Sequence, residues 1–150
     1  MTVTVQNSRV TTFSIKDLDN IEGNPLSHIV REYGVVYVTS ITRDGCSGCQ
    51  EQKPLFRDLA SRLSDEHHGK LSFNNIHVKY ADGDTRESGQ AKRILGHGSY
   101  PTYMIHIKSE YGPLEHYRAA YPRMEDLDQQ AVNAIELATF YQEQAIKEKD

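Results

Sequence analysis

The sequence predicts an α/β protein in which a mixed β-sheet is flanked by helices on both faces. Two observations support this fold class. Segments rich in β-branched and apolar residues alternate with segments of helical period along the 150 residues. The last two strand-like segments are joined directly by a Tyr-Gly-Pro turn at 111 to 113, and a long helical segment follows them. Alternation favours parallel strands and the final hairpin adds antiparallel ones, so we expect a mixed sheet.

Five segments are expected to form strands because they are rich in β-branched or apolar residues. The second of them, GVVYVTS, is a continuous apolar run, which is typical of a strand buried at the centre of a sheet. Right-handed crossovers between parallel neighbours also place it there. The five ranges are 9 to 15, 34 to 40, 71 to 82, 100 to 108 and 112 to 121.

The helices are predicted from apolar spacing and from end signals. Leu55, Leu59 and Leu63 recur at steps of four in the second helix and give it one apolar face. Gly96 ends the third helix, as glycine typically does. We expect all elements to form one domain over residues 1–150, with about the first eight residues flexible. The four helical ranges are 25 to 33, 46 to 68, 84 to 96 and 123 to 148.

Composition and charge argue against several classes of protein. A net charge of −4 argues against nucleic-acid binding, which needs a basic surface to meet the phosphates. No apolar run approaches the ~18 residues of a membrane-spanning helix, so we expect no membrane contact. The basic start and long apolar core of a secretory signal are missing from MTVTVQNSRVTTF. We therefore expect a cytoplasmic protein.

The two cysteines of the chain, Cys46 and Cys49, lie three residues apart at the start of the second predicted helix. A secreted protein stapled by disulfides would carry more cysteines at wider spacing. The pair therefore indicates redox chemistry or half of a metal site. Zinc needs four ligands, and neither a second C-x-x-C nor an H-x3–5-H accompanies the pair, so we expect no metal.

The position of the pair favours redox chemistry. Unpaired N–H groups and the positive end of the helix dipole favour a thiolate at a helix N-terminus. The i, i+3 spacing brings the two sulfurs close enough for a reversible disulfide. We expect Cys46, the more exposed cysteine, to attack a substrate disulfide and Cys49 to resolve the mixed disulfide. Ser47 and Gly48 between them are too small to block a substrate chain.

Two prolines accompany the cysteines. Pro54 has no N–H group, so it removes one hydrogen bond from the second helix and bends it shortly after the motif. Pro101 opens an apolar strand, and a cis X-Pro bond at such a place usually marks a functional turn. The order of the elements puts this turn beside the start of the cysteine helix.

The chain resembles thioredoxin-like proteins over residues 9 to 148. The resemblance rests on the C-S-G-C motif after a strand, on Pro54, and on the YPT sequence before an apolar strand. It implies Cys46 as the nucleophile, Cys49 as the resolving thiol and Pro101 as a cis proline. It also implies that Tyr100 offers its backbone to an extended substrate segment, which pairs like an added strand.

The chain also departs from typical thioredoxins. Gly45 stands where they have tryptophan, and Ser-Gly replaces their Gly-Pro between the cysteines. The buried aspartate that assists their second cysteine corresponds to about Ser40, so the proton acceptor for Cys49 is open. Its candidates are Asp44, Glu51 and His97.

The residues and the resemblance together predict a thiol–disulfide oxidoreductase that reduces protein disulfides by dithiol exchange. Electrons would come from a reductase or a small thiol, and no bound cofactor is needed. An alternative of a different class is a binding, adaptor or redox-sensing module with little turnover, which the missing tryptophan and aspartate favour. Replacing Cys46 by serine separates the two, because an oxidoreductase then loses turnover and an adaptor keeps its partner.

Overall fold

Five β-strands form one mixed sheet at the centre of the computed structural model, which describes residues 9–19 and 22–149. The strands are β1 (Val10–Phe13), β2 (Val36–Arg43), β3 (Leu71–Val78), β4 (Thr102–Ser109) and β5 (Gly112–Ala120). Their order across the sheet is β1-β3-β2-β4-β5. β3 is parallel to β1 and β2, whereas β4 is antiparallel to β2 and β5. The predicted mixed sheet, with the second strand at its centre, is confirmed.

Helices cover both faces of this sheet. They are α1 (Ile15–Asp19), α2 (Ser47–Glu66), α3 (Arg86–Leu95) and α4 (Met124–Lys149), with a single 3-10 turn at Pro25–His28. One face packs against α2 and α4 and the other against α1 and α3. None of the helices in the described ranges carries an apolar stretch of bilayer-spanning length. The flexibility expected for residues 1–8 concerns a segment outside the described residues.

Two short elements near the N-terminus differ from the prediction. The helix expected at 25 to 33 is a single 3-10 turn, and the Asn24 side chain caps it by accepting the N–H of Leu26 at 2.9 Å. Helix α1 was not expected. The Asp17 carboxylate holds its first turn by accepting the N–H of Ser14 at 2.7 Å. Both elements depend on side-chain caps rather than on an apolar period, which is why spacing alone did not define them.

Aromatic packing joins α2 to the sheet. Phe56 of α2 meets Phe73 of β3 and Tyr103 of β4 edge-on, with ring centroids 5.8 Å and 5.3 Å apart. Edge-on pairs of this kind add to the gain from burying apolar surface. Because the cysteine motif heads α2, this core sets the position of the motif against the sheet.

Strand β2 runs on to Arg43 instead of ending at residue 40. It ends there because Gly45, with φ of 69°, turns the chain into α2 through a conformation that glycine adopts without strain. The extension brings Thr42 into the sheet, directly opposite His77 of β3. Polar residues therefore continue the central strand toward the cysteine motif.

Candidate active site

The two cysteines form a disulfide at the N-terminus of α2. Cys46 is the N-cap residue, with φ of −97° and ψ of 109°, and its Sγ accepts the N–H of Cys49 at 3.1 Å. The two Cα atoms lie 5.2 Å apart, inside the usual range for a disulfide. The donated N–H and the positive helix end both stabilise negative charge on the Cys46 sulfur. The arrangement therefore suits a reactive thiolate when the pair is reduced.

The two cysteines are equally buried, each exposing 6% of its surface. The expectation that Cys46 is the more exposed one is wrong for this oxidised form. The turn between them is covered by neighbours, because Pro101 and Tyr121 both lie against Gly48. Ser47, in contrast, is exposed. The motif therefore meets solvent at Ser47.

The two prolines lie on different sides of the motif. Pro54 is inside α2 and exposed. The Tyr100–Pro101 peptide bond is cis, and Pro101 is buried. The Cδ atom of Pro101 lies 3.4 Å from the position that a Cβ atom on Gly48 would take. The turn before β4 and the cysteine motif are therefore in close contact.

The side chain of Tyr100 is anchored on the α3 side of the sheet. Its hydroxyl lies 2.9 Å from Ser88 Oγ of α3, and its ring packs edge-on against His97 with centroids 4.8 Å apart. The Arg43 guanidinium lies 5.7 Å from the centre of the ring. Within the described residues, the N–H and C=O of Tyr100 form no hydrogen bond. An unpaired backbone beside a strand end is free to bond an extended partner.

Tyr121, which follows β5, covers the cysteine turn. Its φ of 47° makes it the single non-glycine residue with positive φ in the part of the chain that the structure describes. Its N–H donates to the Pro101 carbonyl at 3.0 Å, and its Cε2 atom lies 2.6 Å from the Cβ position of Gly48. The neighbouring Glu51 carboxylate raises the pKa of the Tyr121 phenol. No sequence signal marks this residue, because a left-handed backbone normally indicates Gly, Asn or Asp.

Gly48→Ala is expected to destabilise the protein by about 1 kcal/mol, because the new methyl group collides with the ring of Tyr121. In a Tyr121→Gly background the same change is expected to stabilise by about 0.5–1 kcal/mol, because Gly48 lies in a helix, where alanine is preferred to glycine. Urea unfolding of the four proteins in this double-mutant cycle measures the difference. Equal effects of Gly48→Ala in both backgrounds would contradict the contact.

A cavity of about 430 Å³ lies behind Cys49, between α2 and the sheet. Its sheet wall is polar, with Ser40 and Thr42 from β2 and Asn75 and His77 from β3. Ser40, the residue that the resemblance matches to the buried aspartate of thioredoxins, is 3% exposed. The wall next to Cys49 therefore offers hydroxyl, amide and imidazole groups in place of a buried carboxylate.

His77 connects this cavity to Asp44. Its Nε2 atom lies 2.8 Å from Asp44 Oδ1, and its Nδ1 atom lies 2.9 Å from Thr42 Oγ1. Asp44 also accepts the N–H of Tyr80 at 3.1 Å. The hydrogen bonds from His77 and Tyr80 hold the pKa of Asp44 below its usual value. Asp44 is therefore a carboxylate at neutral pH.

Of the three candidate proton acceptors for Cys49, the structure brings one, Asp44, to the lining of this cavity. Glu51 acts on the Tyr121 phenol at the cysteine turn, and His97 packs against Tyr100. Sequence reasoning missed His77, because a single histidine in a strand belongs to no motif. Only the register of β2 and β3 places it opposite Thr42.

His97 is buried rather than on the surface, with 5% exposure, and neither ring nitrogen has a hydrogen-bond partner among the described residues. Burial, with smaller contributions from the charges of Lys92 and Arg118, lowers its pKa to about 4. The unfolded chain keeps a histidine pKa of about 6.5 and so binds more protons between roughly pH 4 and 6.5. Because of His97, the free energy of unfolding therefore decreases as pH falls through this window, and the full decrease is reached below it.

His97→Leu is expected to flatten the dependence of unfolding free energy on pH between about 6.5 and 4, because it removes one proton of difference between the two states. Burial also lowers the pKa of His106 to about 4, so part of the slope remains in the variant. Urea unfolding at a series of pH values measures both slopes. The exposed His68, changed in the same way, serves as the control and should leave the slope as it is. A slope equal to that of the wild type in His97→Leu would contradict the assignment.

No three His, Cys, Asp or Glu side chains converge on a metal-binding position within residues 9–19 and 22–149. The cysteine pair is therefore not joined there by further ligands of these types.

Comparison with known proteins identifies the fold. No protein-family model and no curated protein sequence matches the chain. Among solved structures, a thioredoxin from Trichomonas vaginalis superimposes with a TM-score of 0.61 at 12% identity, over 85% of this chain and 98% of that one. Thioredoxin NaTrxh from Nicotiana alata gives a TM-score of 0.58 at 15% identity, over 88% and 97% of the two chains.

A third similar structure is thioredoxin f2 in its complex with ferredoxin:thioredoxin reductase. It gives a TM-score of 0.54 at 19% identity and covers 90% of this chain and 99% of that one. Identities this low establish the fold alone, which this chain shares with the three thioredoxins.

Proposed function

We propose that this protein, a chain with the thioredoxin fold, is a thiol–disulfide oxidoreductase that reduces protein disulfides through Cys46 and Cys49. The observation that carries the proposal is the position of Cys46. Its sulfur caps α2 and accepts the N–H of Cys49 at 3.1 Å, in a disulfide with that same residue. A sulfur at a helix N-terminus with a donated N–H is favoured as a thiolate, which is the attacking form in disulfide exchange.

The reaction has two exchange steps. The Cys46 thiolate attacks one sulfur of the substrate disulfide, so a mixed disulfide forms and the other substrate cysteine leaves as a thiolate. The Cys49 thiolate then attacks the Cys46 sulfur, and the second substrate cysteine leaves. Two electrons pass to the substrate, and the Cys46–Cys49 disulfide remains, as in the structure.

The surroundings of the motif support binding of an extended substrate segment. The unpaired backbone of Tyr100 lies next to Pro101, which contacts the cysteine turn at Gly48. We assign to Tyr100 the pairing of the substrate backbone and to Pro101 the shaping of the turn. Ser47 is small and exposed and leaves the approach open, whereas the ring of Tyr121 lies over Gly48. Pro54 sets the direction of the first turns of α2.

Regeneration requires a donor of two electrons. We propose a reductase or a small thiol in this role. The similar thioredoxin f2 was solved in complex with a ferredoxin:thioredoxin reductase, which supports a reductase for the same fold. No bound cofactor takes part in the exchange, because both electrons travel as thiol and disulfide. We further propose that the chain acts as a single domain in the cytoplasm, where its two cysteines would be kept available for exchange.

One observation favours the alternative of a binding or adaptor module with little turnover. The ring of Tyr121 lies against Gly48, at the face where a substrate would meet the motif. If this ring stays in place during binding, the cysteines serve as a redox sensor rather than as a catalyst. Cys46→Ser distinguishes the two functions, because an adaptor keeps its partner without the thiol.

Redox equilibration tests the proposal. The purified protein is brought to equilibrium with graded glutathione buffers, free thiols are trapped by alkylation, and the masses are read. We expect Cys46 and Cys49 to convert together in one two-electron transition. A potential near about −270 mV marks a reductant, whereas one above about −200 mV marks an oxidant or isomerase. If Cys46 and Cys49 form no disulfide at any redox potential of the buffers, the proposal is overturned.

A further inference from the structure

The sheet face below α2 changes from apolar to polar toward the cysteine motif. Val38 of β2 and Phe73 of β3 belong to the buried apolar core on this face. Two residues further along each strand, Ser40 and Asn75 occupy the same face, opposite each other in the register. Polar groups at this depth need hydrogen-bond partners, and here they find them in one another.

A continuous chain of hydrogen bonds runs along this polar surface. The Asn75 amide nitrogen, Nδ2, lies 2.9 Å from Ser40 Oγ and 2.9 Å from Thr42 Oγ1. Thr42 Oγ1 lies 2.9 Å from His77 Nδ1, and His77 Nε2 lies 2.8 Å from Asp44 Oδ1. This series of hydrogen bonds therefore leads from a buried hydroxyl at Ser40 to the carboxylate of Asp44 at the protein surface.

Which group donates and which accepts in each of these hydrogen bonds follows from the groups that can only donate or only accept. Asn75 Nδ2 can only donate, so Thr42 Oγ1 accepts from it and its own proton is free to point at His77 Nδ1. The Asp44 carboxylate accepts from His77 Nε2. This pattern leaves Nδ1 of a neutral His77 as the acceptor at the cavity side of the ring.

Cys49 lines the same cavity as the hydrogen-bonded residues Ser40, Asn75, Thr42, His77 and Asp44. The volume of about 430 Å³ has room for several water molecules, each of which occupies about 30 Å³ in the liquid. Because Cys49 and Thr42 both line the cavity, water inside it is in contact with both residues. The cavity thus supplies a route for a proton between the resolving thiol and His77.

We propose that His77, paired with Asp44, accepts the proton of the Cys49 thiol when Cys49 resolves the mixed disulfide. This inference rests on the proposed function and names the group that replaces the missing buried carboxylate. The proton leaves Cys49 Sγ, passes through cavity water and the Thr42 hydroxyl, and ends on His77 Nδ1. The Cys49 thiolate then attacks Cys46 Sγ, a Cys46–Cys49 bond forms, and the substrate cysteine leaves as a thiolate with the electron pair of the broken bond.

Charges around the cavity are compatible with this step. Lys53 and Arg57 of α2 line it as cations, which stabilise a thiolate but have no lone pair to accept its proton. Arg43 of β2 also borders the cavity, but its guanidinium lies against the rings of Tyr80 and Tyr100, 4.2 Å and 5.7 Å from their centres. β1 contributes Val10 and Thr12, which do not titrate. Asp44 stays ionised beside His77, because the hydrogen bonds from His77 and Tyr80 lower its pKa. The Asp44 carboxylate then stabilises the imidazolium that forms.

Two-phase kinetics with Ellman's reagent test the inference. Attack by Cys46 releases one coloured thionitrobenzoate, and resolution by Cys49 releases the second, so one absorbance trace reports both steps. Wild type, His77→Gln and Thr42→Val are compared from about pH 6 to 9, a range that includes the ordinary pKa values of histidine and cysteine. His68→Gln is the control, because His68 is exposed at the end of α2.

We expect His77→Gln to slow the second phase at least about tenfold at pH 7 and to leave the first phase unchanged. Its second-phase rate should rise with pH as the thiol ionises unaided, and approach wild type at about pH 9. Thr42→Val should show the same trend with a smaller loss. A second phase in His77→Gln with the wild-type pH profile, at full or uniformly reduced rate, would overturn the inference. An absent first phase in the wild type would overturn the proposed function itself.

Discussion

Cys46→Ser is expected to reduce disulfide-reductase turnover by at least about three orders of magnitude, to that of the variant lacking both thiols. A serine hydroxyl remains protonated at neutral pH, and nothing at the N-terminus of α2 makes it comparable to a thiolate. Cys49→Ser is expected to fail differently. Cys46 still attacks, but the substrate stays attached to it as a mixed disulfide. Intact-mass measurement detects this species as an adduct on Cys46.

The control for these variants is Ser61→Ala, an exposed change on the same helix, which should keep full turnover. Substantial turnover by Cys46→Ser would contradict the assignment of the nucleophile. Release of product by Cys49→Ser at the wild-type rate, with no added thiol, would contradict the assignment of the resolving cysteine. The two variants therefore test the two steps of the exchange separately.

Phe56→Ala is expected to lower the free energy of unfolding by about 3–5 kcal/mol. Phe56 is 4% exposed and packs edge-on against Phe73 and Tyr103, so its loss leaves a cavity that rigid strands do not fill. Against a total stability of about 5–15 kcal/mol for a domain, this change brings the fold close to its limit. Phe56→Leu, which keeps most of the volume, should cost about 1–2 kcal/mol and provides a folded variant for measurement.

Leu55→Ala is the matched control for this core variant. Leu55 is the preceding residue of α2, and the leucine spacing predicts it on the apolar face with Leu59 and Leu63, but it is 49% exposed whereas those two are buried. Its truncation should therefore change stability by about 0.5 kcal/mol or less. Urea unfolding of both variants gives the comparison. Equal losses from Leu55→Ala and Phe56→Ala would show that the aromatic cluster does not join α2 to the sheet.

The position of the cysteine pair could be predicted from the sequence because its signals are local. A continuous apolar strand is followed by a glycine and then by a helix that leucines at steps of four indicate. The N-terminus of this helix holds both cysteines. Each signal depends on residues close together in the chain. The same is true of Pro101, which stands next to the apolar segment that becomes β4.

The polar wall behind Cys49 could not be predicted, because it depends on the register between distant strands. Asn75 and His77 meet Ser40 and Thr42 across 35 positions of sequence. A shift of one residue in the pairing of β2 and β3 would turn both pairs to the opposite face. The left-handed backbone of Tyr121 was equally inaccessible, since tyrosine has no preference for that conformation.

The contact between Gly48 and Tyr121 also limits how this sequence can change during evolution. A side chain at position 48 needs the space that the ring occupies, because a Cβ atom there would lie 2.6 Å from Cε2. The two positions are therefore expected to covary among descendants of this chain. A larger residue between the cysteines should be accepted only after Tyr121 has become small, and glycine, which tolerates φ of 47°, is the natural first replacement.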